Sequence, residues 1–154
     1  MSPFKDWLED STEEINKLKT KLSKREERKY KLELLEKVSK RIAEFSSMCG
    51  ECYQYKGVIS NLLQNLGGLV QLSPTASRNH NNKIDSMVKH LRKKHRLISS
   101  GAYMVIGNAV GVAVGVSIGA AVGNIGAGLG IGAGLGAAIG AALGAKAKKD
   151  KKII

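Results

Sequence analysis

Cysteine is scarce in this sequence, and the features of a secreted or a catalytic protein are missing. The 154 residues include two cysteines, too few for a disulfide framework. The amino terminus lacks the basic start, apolar core and cleavage site of a secretory signal, so the amino-terminal part is expected to stay in the cytoplasm. No nucleophile-elbow serine and no pair of acids in an apolar pattern occurs. The sequence therefore predicts a protein that is not an enzyme.

Charged side chains are absent from residues 97–145, a run of 49 residues. One membrane-spanning helix needs about 20 residues to cross a hydrocarbon core of about 30 Å, so the run suits two crossings. Gly123 and Asn124 lie near its middle, and both residue types tolerate the positive φ of a tight turn. We expect a two-helix transmembrane hairpin over residues 101–145, with its turn near residues 123–126, and a basic tail over residues 146–154.

Glycine recurs every four residues in both halves of this run. On a helix of about 3.6 residues per turn, the repeat forms a slanting groove in which two backbones can approach closely. Gly123 and Gly128 are equidistant from the expected turn, as are Gly119 and Gly132, so the two rows should meet when the chain folds back. The residues predicted to pack the helices together are Gly107, Gly111, Gly115, Gly119, Gly123, Gly128, Gly132, Gly136, Gly140 and Gly144.

Residues 101–145 resemble the glycine-zipper membrane hairpins of many small bacterial and archaeal proteins. The resemblance is one of composition, and it implies membrane insertion and helix self-association without catalytic residues. An aggregating β segment over residues 126–136 and a hairpin lying on the membrane surface are the alternatives. A dinucleotide-binding site at Gly128, Gly130 and Gly132 is not expected, because no βαβ unit or downstream acid accompanies these glycines.

Basic side chains flank the uncharged run on both sides, in a chain of net charge +12. The positive-inside tendency predicts a multi-pass membrane protein with both termini in the cytoplasm. The same cations can contact anionic lipid headgroups, whereas the lack of interleaved aromatic residues disfavours nucleic acid as a partner. The residues predicted to lie at the membrane surface are Lys89, Arg92, Lys93, Lys94, Arg96, Lys146, Lys148 and Lys149.

Residues 1–98 have the pattern of a helical, coiled-coil-prone cytoplasmic domain, so the predicted fold class is all-α. We expect helices over about residues 5–47, 51–66 and 82–98, with a loop over residues 72–82.

Two local patterns refine this prediction. Apolar residues from Leu35 to Cys49 are spaced three and four apart, which is the seam spacing of a coiled coil or an antiparallel helix pair. Ser11 begins a capping-box pattern, so the first helix could restart there.

Cys49 and Cys52 form a C-x-x-C pair. A zinc site needs about four ligands, so these cysteines would need help from His80, His90, His95 or a second subunit. His90 and His95 are five residues apart, which is unfavourable for one helix face. The expected state is a pair of packed thiols, with an intersubunit disulfide or metal site and redox activity as alternatives. No metal and no cofactor is predicted.

These features predict a self-associating integral membrane protein with a cytoplasmic interaction domain. The accompanying hypothesis is that its oligomer forms a pore or perturbs the bilayer. Close glycine packing favours a homo-oligomer, and Asn108 and Ser117 are polar side chains within the first expected crossing. The alternative is a membrane-tethered adaptor whose helical domain binds a cytoplasmic protein partner.

Overall fold

The computed structural model describes residues 3–67, 73–99 and 101–154. Across these residues the chain forms seven helices and no strand, which confirms the all-helical fold class. Two compact units are present, Met1–His95 together with Ile154, and Arg96–Ile153. The helices are α1 (Pro3–Lys21), α2 (Lys24–Lys29), α3 (Leu32–Phe45), α4 (Gly50–Gly67), α5 (Pro74–Lys94), α6 (Ala102–Ala121) and α7 (Ile125–Lys149).

The first unit is a helical bundle in which α3 packs against α1, α4 and α5. Leu35, Val38 and Ile42 on α3 are fully buried. Their spacing of three and four residues places them on one side of the helix, so α3 presents a continuous apolar stripe to its neighbours. The residues that have seam spacing in the sequence are therefore buried in the core of a bundle of several helices.

Three helices occupy residues 5–47, where the sequence predicts one. The first break is at Ser23, whose side chain accepts a hydrogen bond from the backbone N–H of Glu26, while the Glu26 carboxylate accepts one from the backbone N–H of Ser23. This capping box starts a new helix. The second break is at Lys31, whose φ of 52° is left-handed. Ser11, where the sequence suggested a restart, is buried within α1.

α5 begins at Pro74, within the stretch expected to be a loop. The Ser73 hydroxyl accepts a hydrogen bond from the backbone N–H of Ala76. Proline suits the first helical position because it has no backbone N–H that would need a partner there. Nε2 of His80 then donates to the Tyr30 carbonyl at 3.1 Å. This buried hydrogen bond joins the first half of α5 to the junction between α2 and α3.

Burial lowers the pKa of His80 below its ordinary value of 6.5, and the opposing effect of the bond to Tyr30 is smaller. The folded chain therefore binds fewer protons at this group than the unfolded chain does. We expect the free energy of unfolding to be constant with respect to His80 above pH 6.5 and to fall as the pH drops through and below that value.

The measurement is denaturant unfolding of the full-length chain in detergent micelles at several pH values. Trp7, the single tryptophan, is a suitable probe because its indole N–H on α1 donates to the Ser60 hydroxyl on α4. His80→Gln retains a donor for the Tyr30 carbonyl but does not titrate, so its loss of stability in acid should be smaller. Identical pH dependence in both proteins would contradict the role assigned to His80.

Candidate functional site

The second unit is a pair of antiparallel helices, α6 and α7, joined by a tight turn. Gly123 has a φ of 74°, in the left-handed region that favours glycine. The Asn124 side chain accepts a hydrogen bond from the backbone N–H of Ala127 at 3.0 Å and so caps α7. The chain reverses direction at these two residues.

The two helices meet through glycine because their backbones are too close for side chains. A Cβ atom added at Gly107 would lie 2.5 Å from the carbonyl oxygen of Gly136, and one at Gly132 would lie 2.7 Å from the Cα of Gly115. Real Cβ atoms essentially never approach within 3.0 Å. The glycines with this close contact are Gly107, Gly111, Gly115, Gly119, Gly128, Gly132, Gly136 and Gly140.

The glycine rows meet one step away from the register expected from the sequence. Gly128 faces Gly119, whereas placement at equal distances from the expected turn would pair Gly119 with Gly132. The difference arises because Gly123 is used for the reversal itself, which moves the fold-back point towards the amino terminus. At the other end, a Cβ on Gly144 would meet only the Cβ of Tyr103, at 4.0 Å.

The outer surface of this helix pair is aliphatic and exposed. Val105 and Val122 are 70% and 71% exposed, and α6 and α7 are both long and apolar enough to cross a membrane. Only 11% of the most apolar 18-residue window of α6 is buried, and 22% of that of α7. A core helix of a water-soluble protein would be mostly buried, so this surface favours an apolar surrounding medium.

Polar groups of the second unit lie on its outer surface and at its open end. The Ser117 hydroxyl donates to the Ala113 carbonyl of its own helix at 2.9 Å, and Asn108 is exposed on α6. The backbone N–H of Ile98 donates to the Lys152 carbonyl at 2.7 Å, which joins the segments before α6 and after α7. The exposed cations at this end of the second unit are Arg96, Lys146, Lys148, Lys149, Lys151 and Lys152.

The other predicted membrane-surface residues belong to the first unit. They lie on the last turns of α5, where all of them are exposed: Lys89, Arg92, Lys93 and Lys94.

Two cysteines and two histidines converge within the first unit. Cys49 lies between α3 and α4, where its carbonyl accepts the first hydrogen bond of α4 from the N–H of Tyr53, and Cys52 follows in the first turn. His90 lies near the end of α5, and His95 caps that helix by donating its backbone N–H to the Leu91 carbonyl. One ligand atom from each of the four side chains lies within 4.8 Å of all the others.

Both imidazole rings point a nitrogen at sulfur. Nε2 of His90 lies 3.5 Å from Sγ of Cys49 and 3.4 Å from Sγ of Cys52. Nε2 of His95 lies 3.3 Å from the same Cys52 sulfur. Cys52 is fully buried and Cys49 is partly buried. The group formed by Cys49, Cys52, His90 and His95 is called the Cys–His cluster below.

Neighbouring side chains orient the rings of the Cys–His cluster. The Glu51 carboxylate lies 3.2 Å from Nδ1 of His90, so a proton on Nδ1 leaves the lone pair of Nε2 directed at the cysteines. Phe45 stacks on His95, with ring centroids 4.0 Å apart and planes inclined by 17°. Two separate elements, α4 and the end of α3, therefore position the histidines of α5.

Burial shifts the pKa values of two members of the cluster, Cys52 and His95. It raises the pKa of the Cys52 thiol to about 12, with a further contribution from the hydrogen bond to Cys49. It lowers the pKa of His95 below 6.5, and the nearby His90 and Lys94 act in the same direction. A reactive thiol has a lowered pKa, so this environment does not favour the redox activity considered from the sequence.

Sequence reasoning did not assemble this cluster, although a signal was present. The spacings Cys49-x₂-Cys52 and His90-x₄-His95 both fall within the ranges typical of zinc-finger ligands. A separation of five residues is unfavourable only if both histidines belong to one continuous helix, and α5 ends at Lys94. His80, the third histidine considered, is bonded to Tyr30 instead.

Comparisons of this chain with protein-family models, with curated proteins and with solved structures find no match. Function is therefore inferred from the glycine contact, the exposed aliphatic surface and the Cys–His cluster.

The glycine contact predicts a position-specific response to substitution within α7. Gly132→Leu would place a side chain against the backbone at Gly115, so it should force the helices apart and destabilise the pair by about 3 kcal/mol, the upper end of overpacking costs. Gly130→Leu is the matched control, because a Cβ there meets nothing within 4 Å.

The readout is the SDS concentration at which half of the α6–α7 pairs have separated in mixed micelles. Separation is detected by protease cleavage at the Gly123 turn. Gly132→Leu should lower the midpoint, while Gly130→Leu should leave it near that of the unmodified chain. Equal midpoints for the two variants would contradict the packing described.

Proposed function

We propose that this protein is a membrane-anchored interaction protein. In this proposal, α6 and α7 cross the bilayer as a hairpin, and the first unit is held at the cytoplasmic surface, where it binds a protein partner. The observation that supports it best is the distribution of side chains in the second unit. Glycine faces glycine between the helices, and large aliphatic side chains face outwards.

Water is an unfavourable solvent for such a helix pair. Each glycine within a helix costs about 1 kcal/mol relative to alanine, because the backbone has many other conformations available in water. In hydrocarbon an unpaired backbone group has no solvent partner, so the helical conformation is favoured despite the glycines. The exposed valines, leucines and isoleucines of α6 and α7 then contact lipid tails, so they avoid the free-energy cost of exposure to water.

Length and charge support two crossings. The 20 residues of α6 extend for about 30 Å at 1.5 Å per residue, the thickness of a typical hydrocarbon core. Arg96, Lys146 and Lys149 lie at the end of the second unit away from the turn. The positive-inside tendency then favours a cytoplasmic location for both termini, with Asn124 on the far side.

The glycine rows favour an anchor over an oligomer built through those same rows. Gly111, Gly115 and Gly132 contact the opposite helix of the same chain, so the close packing is complete without a second copy. The first unit has a separate buried core around α3, and it can present its surface to a partner while the hairpin acts as a tether.

Self-association is the second candidate, and Asn108 favours it. Its carboxamide is exposed on the outer surface of α6, about 9 Å along the helix from Ala102 at 1.5 Å per residue. An asparagine facing lipid gains from a hydrogen bond to another helix, at about 1–2 kcal/mol in model membrane peptides. An oligomer formed in this way would use the outer surface and leave the glycine contact intact.

The experiment is alkaline carbonate extraction of membranes from cells expressing the full-length chain with a protease-cleavable tag at each end. The protein should remain in the membrane pellet. Both tags should be protected in right-side-out vesicles and cleaved in inverted ones. Recovery in the carbonate supernatant, or tags on opposite sides of the membrane, would contradict the anchored hairpin.

Cross-linking of the same pellet separates the two candidates. An anchor gives monomers, whereas self-association through Asn108 gives oligomers that Asn108→Leu abolishes. Ser117→Ala is the matched control, since the Ser117 hydroxyl is bonded within its own helix and its loss should not change the cross-linked products.

A further inference from the structure

We propose that the first unit binds one zinc ion, within a single chain, through four side chains: Cys49, Cys52, His90 and His95. This site is independent of membrane anchoring and would make the amino-terminal bundle a zinc-stabilised domain.

The distances match those of a tetrahedral zinc site. With zinc–sulfur bonds of about 2.3 Å and zinc–nitrogen bonds of about 2.0 Å, tetrahedral angles separate a sulfur from a nitrogen by about 3.5 Å. Three of the four sulfur–nitrogen distances in the cluster are 3.5, 3.4 and 3.3 Å, and all four ligand atoms lie within 4.8 Å of one another. The four donors therefore converge closely enough for small side-chain movements to place them around one ion.

Hydrogen bonding satisfies this arrangement only for one particular placement of the thiol and imidazole protons. The Cys52 thiol has one proton, yet Nε2 atoms of both His90 and His95 lie close to its sulfur. In the neutral tautomer whose proton lies on Nδ1, facing Glu51, the Nε2 atom of His90 is an acceptor. A cation at the centre satisfies both nitrogen lone pairs and both sulfurs at once.

The donor set favours zinc and a structural site. Two thiolates and two imidazoles in tetrahedral geometry are preferred by zinc among the common divalent ions, whereas calcium and magnesium prefer oxygen. Four protein ligands leave no open position for water or substrate. The complete burial of Cys52 also separates the centre from solvent.

The surroundings support metal binding in two further ways. The Glu51 carboxylate on Nδ1 of His90 forms the carboxylate–histidine pair that commonly orients a metal ligand and increases its basicity. Cys49 and Cys52 are both held at the start of α4, so the helix fixes the placement of the two sulfurs relative to each other.

Binding is coupled to proton release. Each cysteine gives its thiol proton to solvent as its sulfur bonds to zinc, and the histidines bind in their neutral form. Protons and zinc therefore compete for the cluster, and the apparent affinity should fall as the pH is lowered.

A bound ion would connect the α3–α4 junction to the end of α5. Cys49 and His90 are 41 residues apart in the chain, so the ion would close a long loop of the bundle. It would also fix His95, the last residue before the second unit begins at Arg96.

The test uses full-length protein in detergent micelles, purified without chelator from cells supplied with zinc. Elemental analysis should find about one zinc ion per chain. The two cysteines, the only thiols in the chain, should resist alkylation by a maleimide until a chelator is added. Alkylation that requires a reductant instead would identify a disulfide, and alkylation without either treatment would identify free thiols. Either result, or the absence of zinc, overturns the proposal.

Variants locate the ion. Cys52→Ser should lose the zinc, and His80→Gln, a change at a buried histidine outside the cluster, should retain it. Because loss of a buried ligand can also unfold the bundle, cobalt substitution of the unmodified chain supplies a readout that needs no variant. Thiolate-to-cobalt charge-transfer absorption is expected. A cobalt spectrum with oxygen and nitrogen ligands only overturns the proposal.

Glu51→Gln tests whether the carboxylate next to Nδ1 of His90 strengthens zinc binding. Removing the carboxylate that orients His90 should weaken zinc binding by about 10–100-fold, measured by competition with a chelator of known affinity. Glu33→Gln removes the same charge from an exposed position on α3 and should leave the affinity unchanged. Equal affinities for the unmodified chain and Glu51→Gln would contradict the contribution assigned to the Glu51 charge.

Discussion

The close approach of two helix backbones is the constraint from which the second unit follows. Between α6 and α7 there is no room for a Cβ, so every fourth residue on both sides must be glycine. This requirement removes the side chains that would otherwise form a core between the helices. The larger aliphatic residues must then face outwards, where they need an apolar medium. The packing thus supports the proposed membrane location, because the same glycine spacing that brings the helices together moves the hydrophobic surface to the outside.

The two units solve the problem of hydrophobic burial in opposite ways. In the first unit, α3 turns Leu35, Val38 and Ile42 inwards against three other helices, as in a water-soluble bundle. Charged residues remain on its surface, where Lys31 and Asp85 form an ion pair between α3 and α5 at 2.7 Å. In the second unit, backbone meets backbone inside and aliphatic side chains lie outside. The first unit therefore has the surface of a water-soluble bundle and the second has an apolar surface, a contrast that supports the proposed tethered domain.

The regular periods in the sequence predicted most of this architecture, and local backbone chemistry decided the rest. The four-residue glycine repeat predicts the contact between α6 and α7, because the repeat is a property of the whole segment. Its register depends on one residue, Gly123, whose left-handed φ is used in the turn. Similarly, the breaks before α2 and α3 depend on the capping hydrogen bonds of Ser23 and the conformation of Lys31, which hydrophobic spacing does not encode.

The Cys–His cluster illustrates a different limit of sequence reasoning. His90 and His95 can bind one ion together only if the helix ends between them. Whether their spacing predicts a zinc site therefore depends on where α5 ends. Their approach to Cys49 and Cys52 depends in turn on how α5 packs within the bundle, which is a tertiary property.

The stabilities of the two units depend on different conditions. The helix pair is held by backbone contacts among glycines, and no titratable side chain takes part in them. The bundle contains a buried histidine with a lowered pKa and, in our proposal, a zinc site that competes with protons. Acid or a chelator should therefore loosen the bundle while the contact between α6 and α7 is retained. Because the proposed ligand His95 directly precedes Arg96, loss of the ion would free the segment that leads into α6. In our proposal, zinc availability would then determine how firmly the bundle is folded.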